Sequence, residues 1–402
     1  MTLLAGVTVV EIGFMVAAPG AARILGDLGA DVIKVEPPAG DVGRRLLPLG
    51  EISVLFESYN RGKRSIVLDL KSEDGQAVFR DLVGIADLIV TNLRPAFLEQ
   101  AGITWDQIHA LNPRAVLALI TSFGIDDEES GAAGGDVVAQ AESGLASFNG
   151  EPDGAPLIAQ NAPADVAGAM YAAVALLAAY IEAQKTGVGR VIDLSLTDVY
   201  TTMDVGITPL VLATGGDFQP ERTRRFHPSF TPHGVFRATG GYIVISAYGT
   251  GANSMWPRLA HALGRDDLAE AEGYRSDAER RQRRDEIVTL IEDWMATFES
   301  TDAAVRVLRD NGVIAATVRT PHETVTSARA IRRRLVQRVE HPVAGPMDVI
   351  SLPLRIGGFE PAIGPAPLLG ADTVDVLMDL LGYEQKRVDS LVESGAVMAK
   401  GT

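Results

Sequence analysis

The chain has no cysteine, which excludes disulfides, thiolate metal sites and a cysteine nucleophile together and permits a reducing compartment. Positive charge is in deficit: 36 Lys and Arg against 52 Asp and Glu give a formal net charge of −16. Non-specific attraction to nucleic acid or to an anionic membrane is therefore not expected. The six histidines show neither HxH nor HExxH spacing, so no metal is expected; only His227 and His233, six apart in one stretch, are candidates to line a site. No Gly-x-Ser-x-Gly elbow is present, and the turn after the first apolar run reads Gly13-Phe-Met-Val-Ala-Ala-Pro-Gly20 rather than GxGxxG. A serine triad and a nicotinamide site both lose their usual signatures. The first residues carry no basic leader or cleavage site, so a cytoplasmic location is expected. The longest uncharged apolar run, 166–181, is shorter than the roughly 18 residues of a membrane span and rich in alanine, which predicts a buried helix.

The 402 residues, 47% hydrophobic and 22% charged, predict a globular chain with two domains. Short β-branched runs at 7–12, 31–36, 65–70, 88–91, 116–121 and 190–196 alternate with helical stretches, among them 19–28 and one opening at Ser72-Glu73-Asp74. That alternation predicts a parallel sheet with helices on both faces. Residues 215–232 hold Gly, Pro, Arg and Phe without periodicity and read as a linker. A smaller strand-plus-helix module follows, with a hairpin turning at 238–241 and helices at 255–263, 278–297 and 303–311. The stretch 332–369 reads as irregular, and helices close the chain at 373–381 and 384–394. The expected division is 1–214, linker 215–232, inserted domain 233–325, and 326–402 as a return to the large domain.

Ligands of parallel sheets sit beyond the carboxyl ends of the strands. This singles out 13–16, 36–40, 70–71, 92–94 and 122–124. Arg44, Arg45, Lys63, Arg64, Lys71 and Arg94 gather near that edge and could neutralise phosphates. Asp165 opens the apolar helix and has two compatible readings. One is an N-cap accepting backbone N–H groups; the other is a rigid, partly dehydrated carboxylate nucleophile.

In order along the chain, Gly6-Val-Thr-Val-Val-Glu-Ile12, Ala17-Ala-Pro19, 25–36, Gly40-Asp-Val-Gly-Arg44, Asn60-Arg-Gly-Lys63 running on to Lys71, 87–95, Ala164-Asp165, Lys185-Thr-Gly-Val-Gly189 and Pro367-Leu-Leu-Gly-Ala-Asp-Thr373 are similar to the class III CoA-transferases. That is the family of formyl-CoA transferase, carnitine CoA-transferase and α-methylacyl-CoA racemase. The resemblance implies an α/β fold: a Rossmann-like parallel-sheet large domain built from both chain ends, a smaller inserted α+β domain, and an interlocked homodimer. It implies coenzyme A, carried as an acyl-CoA substrate, a free carboxylic acid as second substrate, and no metal. It places the nucleophile at Asp165, which would pass through an aspartyl anhydride and an aspartyl-CoA thioester. It places CoA contacts at Leu68, Asp69, Leu70, Lys71, Asn92, Leu93 and Arg94, with Val16 near the acyl group.

Three departures stand out from the family pattern. Pro37 and Gln100 replace basic residues, so Arg44, Arg45 or Arg94 would have to compensate. Gly134-Gly135-Asp136 lacks the histidine of the racemases, which speaks against two-base proton exchange. The segment 226–236 replaces the glycine-rich lid of formyl-CoA transferase. The expected function is CoA transfer between carboxylic acids; the alternatives are an acyl-CoA racemase or epimerase on the same scaffold and a noncatalytic CoA-binding protein.

Overall fold

A computed structural model describes residues 2–399. The first compact unit comprises residues up to 145, 158–205 and those from 328 onward. Its strands are β1 (Thr8–Ile12), β2 (Asp31–Glu36), a short pair β3 (Pro48–Leu49) and β4 (Ile52–Ser53), β5 (Arg64–Leu68), β6 (Leu88–Thr91), β7 (Val116–Thr121) and β8 (Val191–Ser195). Its helices are α1 (Ala17–Asp27), α2 (Val54–Asn60), α3 (Glu73–Ile85), α4 (Pro95–Gln100), α5 (Trp105–Leu111), α6 (Asp136–Glu142), α7 (Pro163–Thr186) and α8 (Leu196–Thr202).

The second unit, residues 146–157 and 206–327, holds α9 (Ile207–Ala213), β9 (His233–Ala238), β10 (Gly241–Ser246), α10 (Trp256–Ala262), α11 (Asp277–Gln282), α12 (Arg284–Met295), α13 (Thr301–Asp310) and β11 (Ile314–Thr317). It takes in 146–157 and 206–214, which the sequence reading gave to the large domain. Arg222 joins the first of these segments to its own unit by donating to the carbonyls of Ser147, Glu151 and Pro152. The three strands form one antiparallel sheet around a core of Phe236, Ile243, Trp256 and Ile291.

Back in the first unit come β12 (Val336–His341), β13 (Gly345–Ile350) and β14 (Val397–Met398). The large sheet has the order β14-β5-β2-β1-β6-β7-β8, parallel except for β14. Successive side chains of a strand face opposite ways, and both faces are covered here. Val10, Ile12, Ile33 and Ile89 pack with α3 and α5, while Val9, Val32, Leu88 and Val90 pack with α1, α7 and α8. This is a Rossmann-like α/β sheet whose strand order reverses between β1 and β6, the place where such sheets hold ligands.

Three local expectations are corrected. The segment 332–369 is not wholly irregular, because β12 and β13 pair as a hairpin from Val336–Ile350 to His341–Gly345. The helix expected over 278–297 breaks at Arg283. One turn earlier, the fully buried Arg280 donates to the carbonyls of Thr231, Tyr274 and Gly249. The helix expected over 373–381 is one α turn, Thr373–Asp375, running into a π turn, Val376–Leu380.

Candidate active site

Helices that connect parallel strands run back against them, so α1 and α7 both begin at the carboxyl edge of the sheet. They pack closely because their facing residues are small. A Cβ built on Gly20 would lie 2.9 Å from the Ala169 Cβ, and the Tyr59 ring of α2 is 3.5 Å away. Val16 and Asp165 each stand one turn toward the N-terminus from that contact.

Val16 is buried and directly precedes α1, after Met15 in a left-handed conformation (φ 68°). At the reversal of strand order, the Asn92 side chain closes a two-way bridge to the first loop. Its Oδ1 accepts the Phe14 N–H at 3.0 Å and its Nδ2 donates to the Phe14 carbonyl at 2.9 Å. Leu93 packs on the core, and exposed Arg94 precedes α4 without an acidic partner among the described residues.

After β5, the Leu68 side chain is buried in the core, so only its backbone can reach a ligand. The Asp69 carboxylate accepts the Lys71 N–H at 3.0 Å, and the Leu70 carbonyl accepts from Gln76. The Lys71 side chain is exposed and has no partner among the described residues.

Most of the basic residues grouped near this edge are already engaged. Lys34 Nζ donates to Glu11 at 2.7 Å and to the Gly13 carbonyl at 3.1 Å, and pairs with Asp41 at 2.9 Å. Lys63 Nζ donates to the other Glu11 oxygen at 2.7 Å, to the Pro19 carbonyl at 2.9 Å and to Asn60 at 2.8 Å. Arg44 makes a two-point pair with Glu36, and Arg64 pairs with Asp31. The expectation that Lys63 and Arg44 could meet phosphates is therefore corrected, because each is committed to a buried carboxylate, whereas the Arg64–Asp31 pair is partly exposed. Lys71 and Arg94 remain, together with exposed Arg45, whose guanidinium donates to the Ala39 carbonyl.

Asp165 lies in the first turn of α7 and is not its cap. That position is Ala162, left-handed at φ 48°, with Pro163 at the first helical position. The capping oxygen comes from Asp136, which accepts the N–H of Ala164 at 2.8 Å and that of Asp165 at 3.4 Å. The Asp165 carboxylate has no hydrogen-bond or ionic partner among the described residues. Burial, with the Asp136 charge as second cause, pushes its pKa up to about 6. It is thus a half-buried carboxylate whose charge no hydrogen bond or ion pair among the described residues offsets, and this combination favours nucleophilic attack.

Asp136 and Gln140 were not among the sequence candidates. The signal was the Gly-Gly pair before an acid: Gly135 sits at φ 142°, a conformation L side chains rarely adopt, and opens α6 with Asp136 as its first residue. A histidine at Gly135 would have to enter that backbone.

His227 and His233 do come together, within the second unit. His227 stacks on Phe230 at 4.5 Å between ring centroids, and His233 Nδ1 shares a hydrogen bond of 2.9 Å with Ser246 Oγ. Among the described residues, no group of three or more His, Cys, Asp or Glu is arranged to hold a metal ion. A cavity of about 860 Å³ beside the β12–β13 hairpin is lined by Arg332, Arg334, Arg338 and Arg355, but by neither Asp165 nor any strand-end residue above.

The model of CoA-transferase family III matches residues 4–373. The chain is similar to the human succinyl-CoA:glutarate CoA-transferase, 30% identical over 400 residues that cover 98% of this chain and 90% of the relative. It is also similar to the succinyl-CoA–D-citramalate CoA-transferase of Chloroflexus aurantiacus, 30% identical with 94% of each chain covered. A CAIB/BAIF family protein from Brucella suis has the same fold, with a TM-score of 0.82 and 28% identity over 94% of this chain and 99% of that one. Rv3272 of Mycobacterium tuberculosis superposes with a TM-score of 0.81 and 27% identity over 93% and 99%.

Proposed function

We propose, for a chain that belongs to CoA-transferase family III and is a CoA-transferase, that CoA passes from an acyl-CoA thioester to a free carboxylic acid through covalent intermediates on Asp165. The observation that carries this reading is the unpartnered Asp165 carboxylate at the carboxyl edge of the sheet, its pKa raised to about 6.

The Asp165 oxygen attacks the thioester carbonyl and CoA leaves as thiolate, giving a mixed anhydride. The thiolate then attacks the aspartyl carbonyl and releases the donor acid, leaving an aspartyl-CoA thioester. The acceptor carboxylate attacks that thioester, freeing CoA thiolate again and forming a second anhydride. Attack of the thiolate on the acceptor's acyl carbon yields the new acyl-CoA and restores Asp165. Each step exchanges one activated acyl bond for another, so the thioester's free energy is conserved.

For CoA we propose the backbone of Leu68 and Asp69, together with Leu70, Lys71, Asn92, Leu93 and Arg94, as the contact set. The unpaired Lys71 and Arg94 suit its phosphates. Val16, at the start of α1, is proposed to face the acyl group. Several relatives are named for dicarboxylic acids, and a short dicarboxylate is the acceptor class we propose to test first. Against racemisation stand Gly135 and the positions of the first unit's histidines: His109 lies tilted against Trp105, and His341 lies 3.2 Å from Glu57.

Asp165→Asn should abolish exchange of CoA between succinyl-CoA and a dicarboxylate panel, by at least about a thousandfold, while retaining acyl-CoA binding. Exchange within tenfold of the unmodified enzyme would refute the covalent mechanism. Entry of solvent deuterium at the α-carbon without an acceptor acid would favour racemisation instead.

A further inference from the structure

We infer that Asp136 and Gln140 are positioning residues for Asp165, fixing the first turn of α7 and withholding the helix's N-terminal donors from the nucleophile. This inference rests on the reading of Asp165 given above. It starts from an anomaly in α7. A helix leaves its first N–H groups without internal partners, and the residue before it normally supplies a side-chain acceptor. Ala162 has no such group, and it is also held at φ 48°, directly before a proline that disfavours the helical region at that position. Strain of this kind persists only where surrounding structure enforces it.

The enforcing structure is on α6. Asp136 Oδ1 takes the Ala164 N–H at 2.8 Å and the Asp165 N–H at 3.4 Å, while its Oδ2 takes Gln140 Nε2 at 2.6 Å. Gln140 is buried, and its amide is used in both directions. Nε2 also donates to the Ala159 carbonyl at 2.9 Å, and Oε1 accepts the Ala159 N–H at 2.7 Å. One side chain thus orients the carboxylate and clamps the strand of chain that leads into α7.

The chemical consequence concerns where the helix's positive end acts. That end normally stabilises a nearby anion. Here it acts on Asp136, and the Asp165 carboxylate accepts none of these N–H groups. The groups that face this turn are Asp136 of α6, Tyr59 of α2 with Arg23 of α1 over its ring at 5.7 Å, and Tyr200 of α8, which senses Asp136. Burial is the larger cause of the Asp165 oxygens' basicity, and Asp136, the nearby anion among these groups, adds its charge to it, as a nucleophile requires.

The test separates the charge of Asp136 from its capping oxygen. Asp136→Asn keeps an oxygen acceptor and removes the charge; Asp136→Ala removes both. Asp165 protonation is read in the free enzyme by carbodiimide labelling across pH, located by peptide mass and normalised to exposed carboxylates of the same chain. Turnover is followed in parallel.

We expect Asp136→Asn to shift the labelling midpoint of Asp165 down by at least half a pH unit, with a matching shift in the acid limb of kcat. Asp136→Ala and Gln140→Leu should lower kcat at least tenfold with KM for acyl-CoA within threefold, and Gln140→Glu should recover less than the unmodified enzyme. An unmoved midpoint in folded Asp136→Asn, or kcat within twofold in folded Asp136→Ala, overturns the inference. A shifted midpoint in a chain that never forms an adduct on Asp165 supports the positioning geometry while refuting the nucleophile assignment.

Discussion

The protonation state of Asp165 decides what this residue can do. In the proposed mechanism the carboxylate is the attacking form, so kcat for CoA transfer should rise with pH through about 6 and level off above it. A flat profile from pH 5 to 8 would contradict this. The same shift has a stability cost of known sign. A carboxyl whose folded pKa is raised favours the fold below its ordinary value, and that contribution is lost as pH climbs through about 6. Asp165→Asn should therefore be more stable than the unmodified chain at pH 7, by on the order of 1 to 3 kcal/mol. The gap should shrink as pH falls toward 4, and thermal melts at both pH values check it. Few of these residue-level facts were legible in the sequence. The place of Asp165 at the head of the alanine-rich helix was, but its reading as the helix cap does not hold, because the capping oxygen comes from Asp136 on another helix. Lys63 and Arg44 were misread, since a basic residue near a strand end looks the same whether it faces solvent or, as here, a buried carboxylate: Glu11, remote in sequence from Lys63, and Glu36, eight residues before Arg44.

Among the elements, the α1–α7 contact holds the proposed site. Both helices are built from small residues along the shared face: Ala17, Ala18 and Ala21 on one, Ala169, Ala172 and Ala173 on the other. The 2.9 Å approach at Gly20 leaves no space for a methyl group against the Ala169 Cβ, which cannot rotate away. Gly20→Ala should cost about 1 to 3 kcal/mol and lower kcat more than it alters overall secondary structure. Denaturant melts paired with turnover measurements test this, and unchanged values would mean the helices separate freely. The strands β2, β6 and β7 have the bounds expected from the sequence: β6 and β7 are almost purely apolar runs buried on both faces, and β2 alternates its buried Val and Ile with charged residues. The β12–β13 hairpin escaped notice because Val336-Gln-Arg-Val-Glu-His341 mixes charged and apolar residues, with Arg338 and Glu340 exposed and His341 buried. The capping of α7 by α6 is a tertiary device, which local cap signals do not reveal.

For the whole molecule, the outer face of α7 is an apolar surface in need of a partner. Met170, Tyr171, Val174 and Ile181 recur at helical spacing and are exposed, Val174 by 68%. Length and composition alone would let α7 cross a membrane, but its other face is part of the protein core through Ala164, Ala167, Ala172 and Leu176. We propose that a second copy of the chain covers the outer face, in line with the interlocked dimer implied by the family resemblance. Light scattering coupled to gel filtration should give twice the chain mass, and Val174→Glu should shift that mass to the monomer or prevent folding. A monomer from the unmodified protein would contradict the proposal.

Covalent trapping tests the central claim most directly. Purified enzyme is mixed with succinyl-CoA, quenched with hydroxylamine or borohydride, and digested for peptide mass. The account predicts a modified Asp165, present with acyl-CoA and absent without it. Transfer activity at full rate with Asp165 unmodified under every donor tested would contradict it.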